Sequence, residues 1–198
     1  MTTKNFTSPQ QWQTDFAAAL SNLEEKKNRG ILAQLRRGQG KGFGEEPRRD
    51  AWVLTQLRRQ GRANFTDEWE VNRCCLIASL FAEHSADTGS GSIGAAFRRM
   101  ASLPGGSEEA VERRFYALLD SDEEDLPKRL RYAIALLKSK GVPLDWAQLL
   151  ADVTNWNRPS RSVQKRWSMD FWGAVRQQAG DSDASESMTP SISKSEET

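Results

Sequence analysis

The stretch LPKRLRYAIALLKSKGVPLDWAQLLADVTNWNRPSRSVQKRWSMDFW, residues 126–172, decides the fold. Pro127 suits the first turn of a helix, where its missing N–H costs nothing. Leu130, Ile134 and Leu137 then recur on one face until Gly141 ends the run. Asp145 can cap the next segment, which carries Trp146, Leu149, Leu150 and Val153. A third stripe follows in Val163, Trp167, Phe171 and Val175. Every apolar period here is that of a helix, and none is that of a strand.

Upstream, the same period continues. Ser8-Pro9-Gln10-Gln11 reads as a capping start with Trp12, Phe16, Leu20 and Leu23 behind it. Ile31, Leu32 and Leu35 form a shorter stripe that stops near Gly38. Pro47 opens a helix with Trp52, Leu54 and Leu57, which stops at Gly61. Thr66 is placed to cap a long one, with Val71, Cys74, Cys75, Ala78, Phe81 and Ala82 inward. After the loop at Gly89 to Gly91 come Ile93, Phe97 and Met100, then the Pro104-Gly105-Gly106 break. Ser107 begins a further helix with Glu108 and Glu109 in its first turn and Val111, Phe115, Leu118 and Leu119 on its apolar face. The expectation is an all-α bundle of two small lobes, residues 1–103 and 104–179, with a disordered acidic tail over 180–198.

A net charge of +1 over 198 residues conceals an uneven distribution. From Gly180 onward the chain has five acids and one base, Lys194. Between Lys26 and Arg62 stand eleven Lys and Arg against Glu45, Glu46 and Asp50. Local charge decides what a surface attracts, so a polyanionic partner stays open despite the balanced total. No apolar run approaches the roughly 20 residues that span a bilayer, and the N-terminus lacks a signal-peptide core. Cys74 and Cys75, adjacent on a helix, point about 100° apart and read as core thiols in a reducing cytoplasm, with no metal or cofactor expected.

Arginine recurs in pairs: Arg36-Arg37, Arg48-Arg49, Arg58-Arg59, Arg98-Arg99 and Arg113-Arg114, joined by Lys165-Arg166. One such pair is ordinarily a solvated helix face. Together, with few acids to neutralise them, they suggest a basic groove, and the guanidinium fork suits phosphate oxygens. The helix from Pro127 to Lys140 adds Lys128, Arg129, Arg131, Lys138 and Lys140 without an acid. No clear helix-turn-helix motif presents polar side chains to base edges, so salt-sensitive phosphate contact without sequence readout is expected. Of the seven tryptophans, Trp12, Trp69, Trp146 and Trp167 fall on apolar stripes, while Trp156 and Trp172 lie off them and are candidates for exposure or an interface.

Catalysis finds little support. His84 is the only histidine and sits near a helix end, where capping of carbonyls is the expected role. Gly38-Gln39-Gly40-Lys41-Gly42 superficially matches a phosphate loop, yet follows a helix and lacks the Ser or Thr after lysine. It reads as a flexible loop in which Lys41 can touch a backbone phosphate. The run Asp120 to Asp125 lacks calcium-loop spacing and reads as a solvated connection.

The order of elements in residues 126–172, with the basic helix, the Gly141-to-Trp146 turn and the Phe171-Trp172 ending, resembles the CasB family. That family is the small helical subunit of the type I-E Cascade CRISPR surveillance complex. Ile31-Leu32-Ala33-Gln34-Leu35-Arg36-Arg37, Ser92-Ile93-Gly94 and Glu112-Arg113-Arg114-Phe115 extend the resemblance upstream. It implies a non-catalytic, cytoplasmic subunit, present as a pair, that bridges the backbone subunits coating the guide RNA and contacts the large subunit. It also implies a basic surface holding target DNA strands opened by the guide. By similarity Arg36, Arg37, Arg113, Arg114, Arg129, Arg131, Lys165 and Arg166 carry that surface; Lys41, Arg58 and Arg59 join them on charge alone. The residues by themselves leave two rivals, a purely structural adaptor of a ribonucleoprotein and a helical transcription regulator.

Overall fold

A computed structural model describes residues 8–62, 68–84, 89–104 and 107–183. Among them nine helices and no strand occur: α1 Gln11–Glu25, α2 Arg29–Arg37, α3 Pro47–Arg59, α4 Glu68–Glu83, α5 Ile93–Ala101, α6 Glu108–Leu119, α7 Leu126–Ser139, α8 Trp146–Thr154 and α9 Ser162–Asp183. The all-α expectation holds. Several caps are those the sequence announces. Ser107 accepts from the Ala110 N–H at 3.3 Å and Asp145 from the Gln148 N–H at 2.9 Å, each satisfying a donor that the first turn leaves free. Pro47 and Pro127 stand in the first turns of α3 and α7.

Other boundaries move. The N-cap of α1 is Gln10 rather than Ser8, and the Gln10 N–H donates to Gln13 Oε1 at 2.8 Å. The cap expected at Thr66 lies outside the described residues. Helix α9 runs to Asp183, so the boundary expected near Gly180 falls inside it; the rest of the acidic tail lies outside the described residues.

Helix α4 is the central element, with Cys74, Cys75, Ile77, Ala78, Leu80 and Phe81 all buried. α2, α3, α7 and α8 pack around it, and α5 lies along α9. Gly94 makes that last contact possible, because a Cβ there would collide with the Trp167 carbonyl. The aromatic residues fill the interior: Phe81 meets Trp146 edge-on at 5.3 Å, and Phe115 stacks against Phe171 at 4.6 Å. Trp12, Trp146 and Trp167 are buried as expected, whereas Trp69 is only half-buried. Trp156 corrects the reading. It is buried, 4.9 Å from the Trp167 ring, and its indole donates to the Ser121 carbonyl at 3.1 Å. Trp172 is half-buried and bonds Glu112 at 2.9 Å.

Both cysteines are free and buried. Burial pushes the Cys75 thiol up to about 12 and raises Cys74 as well. His84 is buried, and its Nε2 lies 3.2 Å from the Val142 carbonyl, a contact to the turn before α8 rather than to its own helix end. Among the described residues no helix is long and apolar enough to cross a membrane.

Candidate nucleic-acid interface

The glycine-rich segment after α2 is shaped by one side chain. Arg49, fully buried on α3, donates from Nη1 to the carbonyls of Gly38 (2.7 Å) and Lys41 (2.9 Å), and from Nη2 to that of Gly42 (2.6 Å). Its charge is met by Asp50 at 2.7 Å, whose Oδ2 accepts from the Gly44 N–H. The loop expected to be flexible is therefore wrapped around a guanidinium, and the pair Arg48-Arg49 divides into one exposed cation and one structural one.

So held, the loop forms one wall of a cleft. Lys128 and Arg131 on α7 form the opposite wall, and Asn72, Arg73, Leu76, Ser79 and Leu80 of α4 form the floor. Lys128, Arg131 and Lys138 recur at helical spacing on α7 and share a face. Gly40, at φ +78°, presses against Arg131: a Cβ there would stand 2.8 Å from Nη2. Only a residue without a side chain fits both that backbone and that contact. At the carboxyl end of α4, Arg36 Nε donates to the Ala82 carbonyl at 2.6 Å and Lys138 Nζ to that of Glu83 at 2.5 Å. Cations there satisfy the helix's last carbonyls.

The amino end of α4 is acidic. Glu123 accepts from Trp69, Arg73 and Asn157, and Glu124 also lines the cleft. Burial pulls the Arg73 guanidinium below its ordinary range, with the Glu123 charge opposing. The connection Asp120 to Asp125 is thus partly a structural knot rather than wholly solvated.

Of the eleven cations expected at the interface, Arg36, Lys41 and Arg131 gather along α4, with Lys41 paired to Glu46 at 3.1 Å. Arg37 is exposed in the last turn of α2. Arg114 and Arg129 flank a second depression between α6 and α7, which includes Tyr132. Arg59 lines a shallow hollow with Lys26 and Trp52, and Arg58 is exposed beside it in sequence. Arg113 and Lys165 are exposed on α6 and α9. Arg166 is ion-paired with the buried carboxylate of Asp152, which also takes the Trp167 indole N–H at 2.6 Å. Burial raises the Asp152 pKa, and Arg166 opposes the shift. Lys128 and Lys138, read from the sequence as part of the basic helix but not carried among the eleven, share the α7 face beside the groove, and Arg73 was missed because nothing in the sequence marks it off from its apolar helix.

Every residue of the α4 groove falls within residues 31–172, the segment that matches the family model described as CRISPR-associated protein Cse2. The chain belongs to the Cse2 family. A Cse2 relative from Thermus thermophilus is 35% identical over 99 residues, which are 50% of this chain and 55% of that protein, about half its length. The crystal structure of M. ruber CasB superimposes with a TM-score of 0.65 at 32% identity, covering 77% of this chain and 89% of that one. A chain of a CRISPR RNA-guided surveillance complex shares the fold at 18% identity and a TM-score of 0.67, over 87% and 98%. The Cse2-family match takes in all eleven expected cations, from Arg36 to Arg166.

Proposed function

We propose that this Cse2-family chain is a non-catalytic small subunit of a CRISPR RNA-guided Cascade complex. It bridges the guide-RNA-coating backbone subunits, contacts the large subunit, and is present in two copies. Along α4 it holds the phosphates of target or displaced DNA and so stabilises the R-loop. The observation that carries the reading is that Lys128 and Arg131 line one α4-floored groove while Arg36 stands at the carboxyl end of the same helix, and none of the three forms an ion pair among the described residues. A duplex exchanged for an RNA–DNA hybrid is nearly balanced in free energy, so a few phosphate contacts can tip it. No chemistry on the strand is required: the one histidine is buried against the Val142 carbonyl.

The test is a complex assembled with Arg36→Ala, Lys128→Ala and Arg131→Ala together. Assembly should be unchanged and R-loop lifetime should shorten. The salt slope of target binding should fall by about 0.7 for each single-strand phosphate that is no longer neutralised. An unchanged affinity and slope would reject the groove as the interface.

A further inference from the structure

The depression on the other side of α7 differs in kind from the α4 groove. Its base is apolar, made by Phe97, Ala117, Leu118, Ala133 and Leu136. Tyr132 is among its lining residues and is 63% exposed, the second most exposed of the large hydrophobic side chains described. An aromatic ring that open is not explained by packing. Two guanidinium groups flank it, Arg114 from α6 and Arg129 from α7, and among the described residues no acid lines the depression. Arg114 Nη1 reaches only its own helix, at the Ala110 carbonyl (3.3 Å), and neither arginine forms an ion pair among the described residues.

Each part has a counterpart in one ligand chemistry. A flat aromatic face stacks a base of any sequence, an apolar base favours its desolvation, and rim arginines meet the flanking phosphates. Tyrosine and arginine also anchor protein interfaces, but two guanidinium groups without ion pairs on either side of one open ring match a base between two phosphates. We infer that Tyr132, Arg114 and Arg129 form a stacking site for one unpaired nucleotide of a single strand, distinct from the phosphate groove along α4. The inference rests on the nucleic-acid-binding reading above and adds a base contact to it. Arg129 approaches the phosphate on one side of the stacked base and Arg114 that on the other. The site is then selective for unpaired over paired strands, because a base inside a duplex cannot present its face.

The full chain is titrated with fluorescent dT and rU oligonucleotides and with an abasic DNA strand of equal length. Tyr132→Ala should weaken both base-bearing strands by roughly tenfold and leave the abasic strand unchanged. Tyr132→Phe should restore binding. A 5-iodouracil strand, irradiated on the unaltered chain, should cross-link to Tyr132. Equal loss on abasic and base-bearing strands, or no loss on either with cross-links elsewhere, overturns the stacking site while leaving the groove intact. Absence of binding to all three strands by the unaltered chain overturns both readings. Circular dichroism guards the comparison, although so exposed a side chain contributes little to folding.

Discussion

Arg49 and Arg131 both belong to basic clusters, and the fold puts them to opposite uses. Arg49 is 0% exposed, bonded to three carbonyls and to Asp50, with nothing left to bind a ligand. Arg131 is half-buried in the wall of an open cleft, leaning on Gly40 rather than on a carboxylate. The two are linked, because the loop that Arg49 shapes is the surface against which Arg131 rests. An arginine's role is thus set by helix register: Arg49 stands one and two helical repeats before the buried Val53 and Leu57, whereas Arg131 lies beside, not on, the Leu130–Ile134–Leu137 stripe.

The difference can be broken most forcefully at Arg49. Arg49→Ala leaves Asp50 buried without its partner and frees the loop, at an expected cost of about 3–5 kcal/mol in urea unfolding. Arg49→Lys should recover only part of this, since one ammonium cannot replace the fork. Gly40→Ala tests the link between the two sites. It strains a positive-φ position for about 1 kcal/mol of stability, and it displaces Arg131, so single-strand affinity should fall as far as in Arg131→Ala. Arg131→Ala itself should change stability by no more than about 0.5 kcal/mol while reducing the salt slope. A large drop in melting temperature would mean that Arg131, too, is structural.

A smaller effect concerns His84, near the Arg36 and Lys138 end of the groove. Burial pushes its imidazole below the ordinary range; the Val142 carbonyl opposes this and the Lys138 charge adds to it. A histidine whose folded pKa is depressed stabilises the fold above its unfolded value of about 6.5, and that contribution is lost as pH falls through the folded value. His84→Gln should therefore flatten the acid limb of a stability–pH curve measured by chemical denaturation. An unaltered limb would assign the acid loss to other groups.

Much of the fold was legible because helix starts are local chemistry. Pro47, Ser107, Pro127 and Asp145 mark them within a residue of where they occur. Misreadings arose where side chains act across the chain. Trp156 lies off every helical stripe, yet packs on Trp167 and bonds Ser121, contacts separated by 11 and 35 residues. On α3 the inward face is Arg49, Asp50, Val53, Gln56 and Leu57, whereas hydrophobicity alone favoured Trp52 and Leu54, which are half-buried. The candidate interface was legible as charge but not as place. Arg166 and Lys165 are neighbours in sequence, and only one of them is tied to a buried carboxylate.

The knot at Glu123 gives the groove a direction. From Arg73 to Ala82, α4 advances about 14 Å, with the Arg73–Glu123 pair and Glu124 at its first end and Arg36 and the Lys138–Glu83 pair at its last. On the proposed function, a strand laid along it is held more firmly at the Arg36 end, and its path bends away from Glu124 near the α6–α7 connection instead of continuing straight across the molecule.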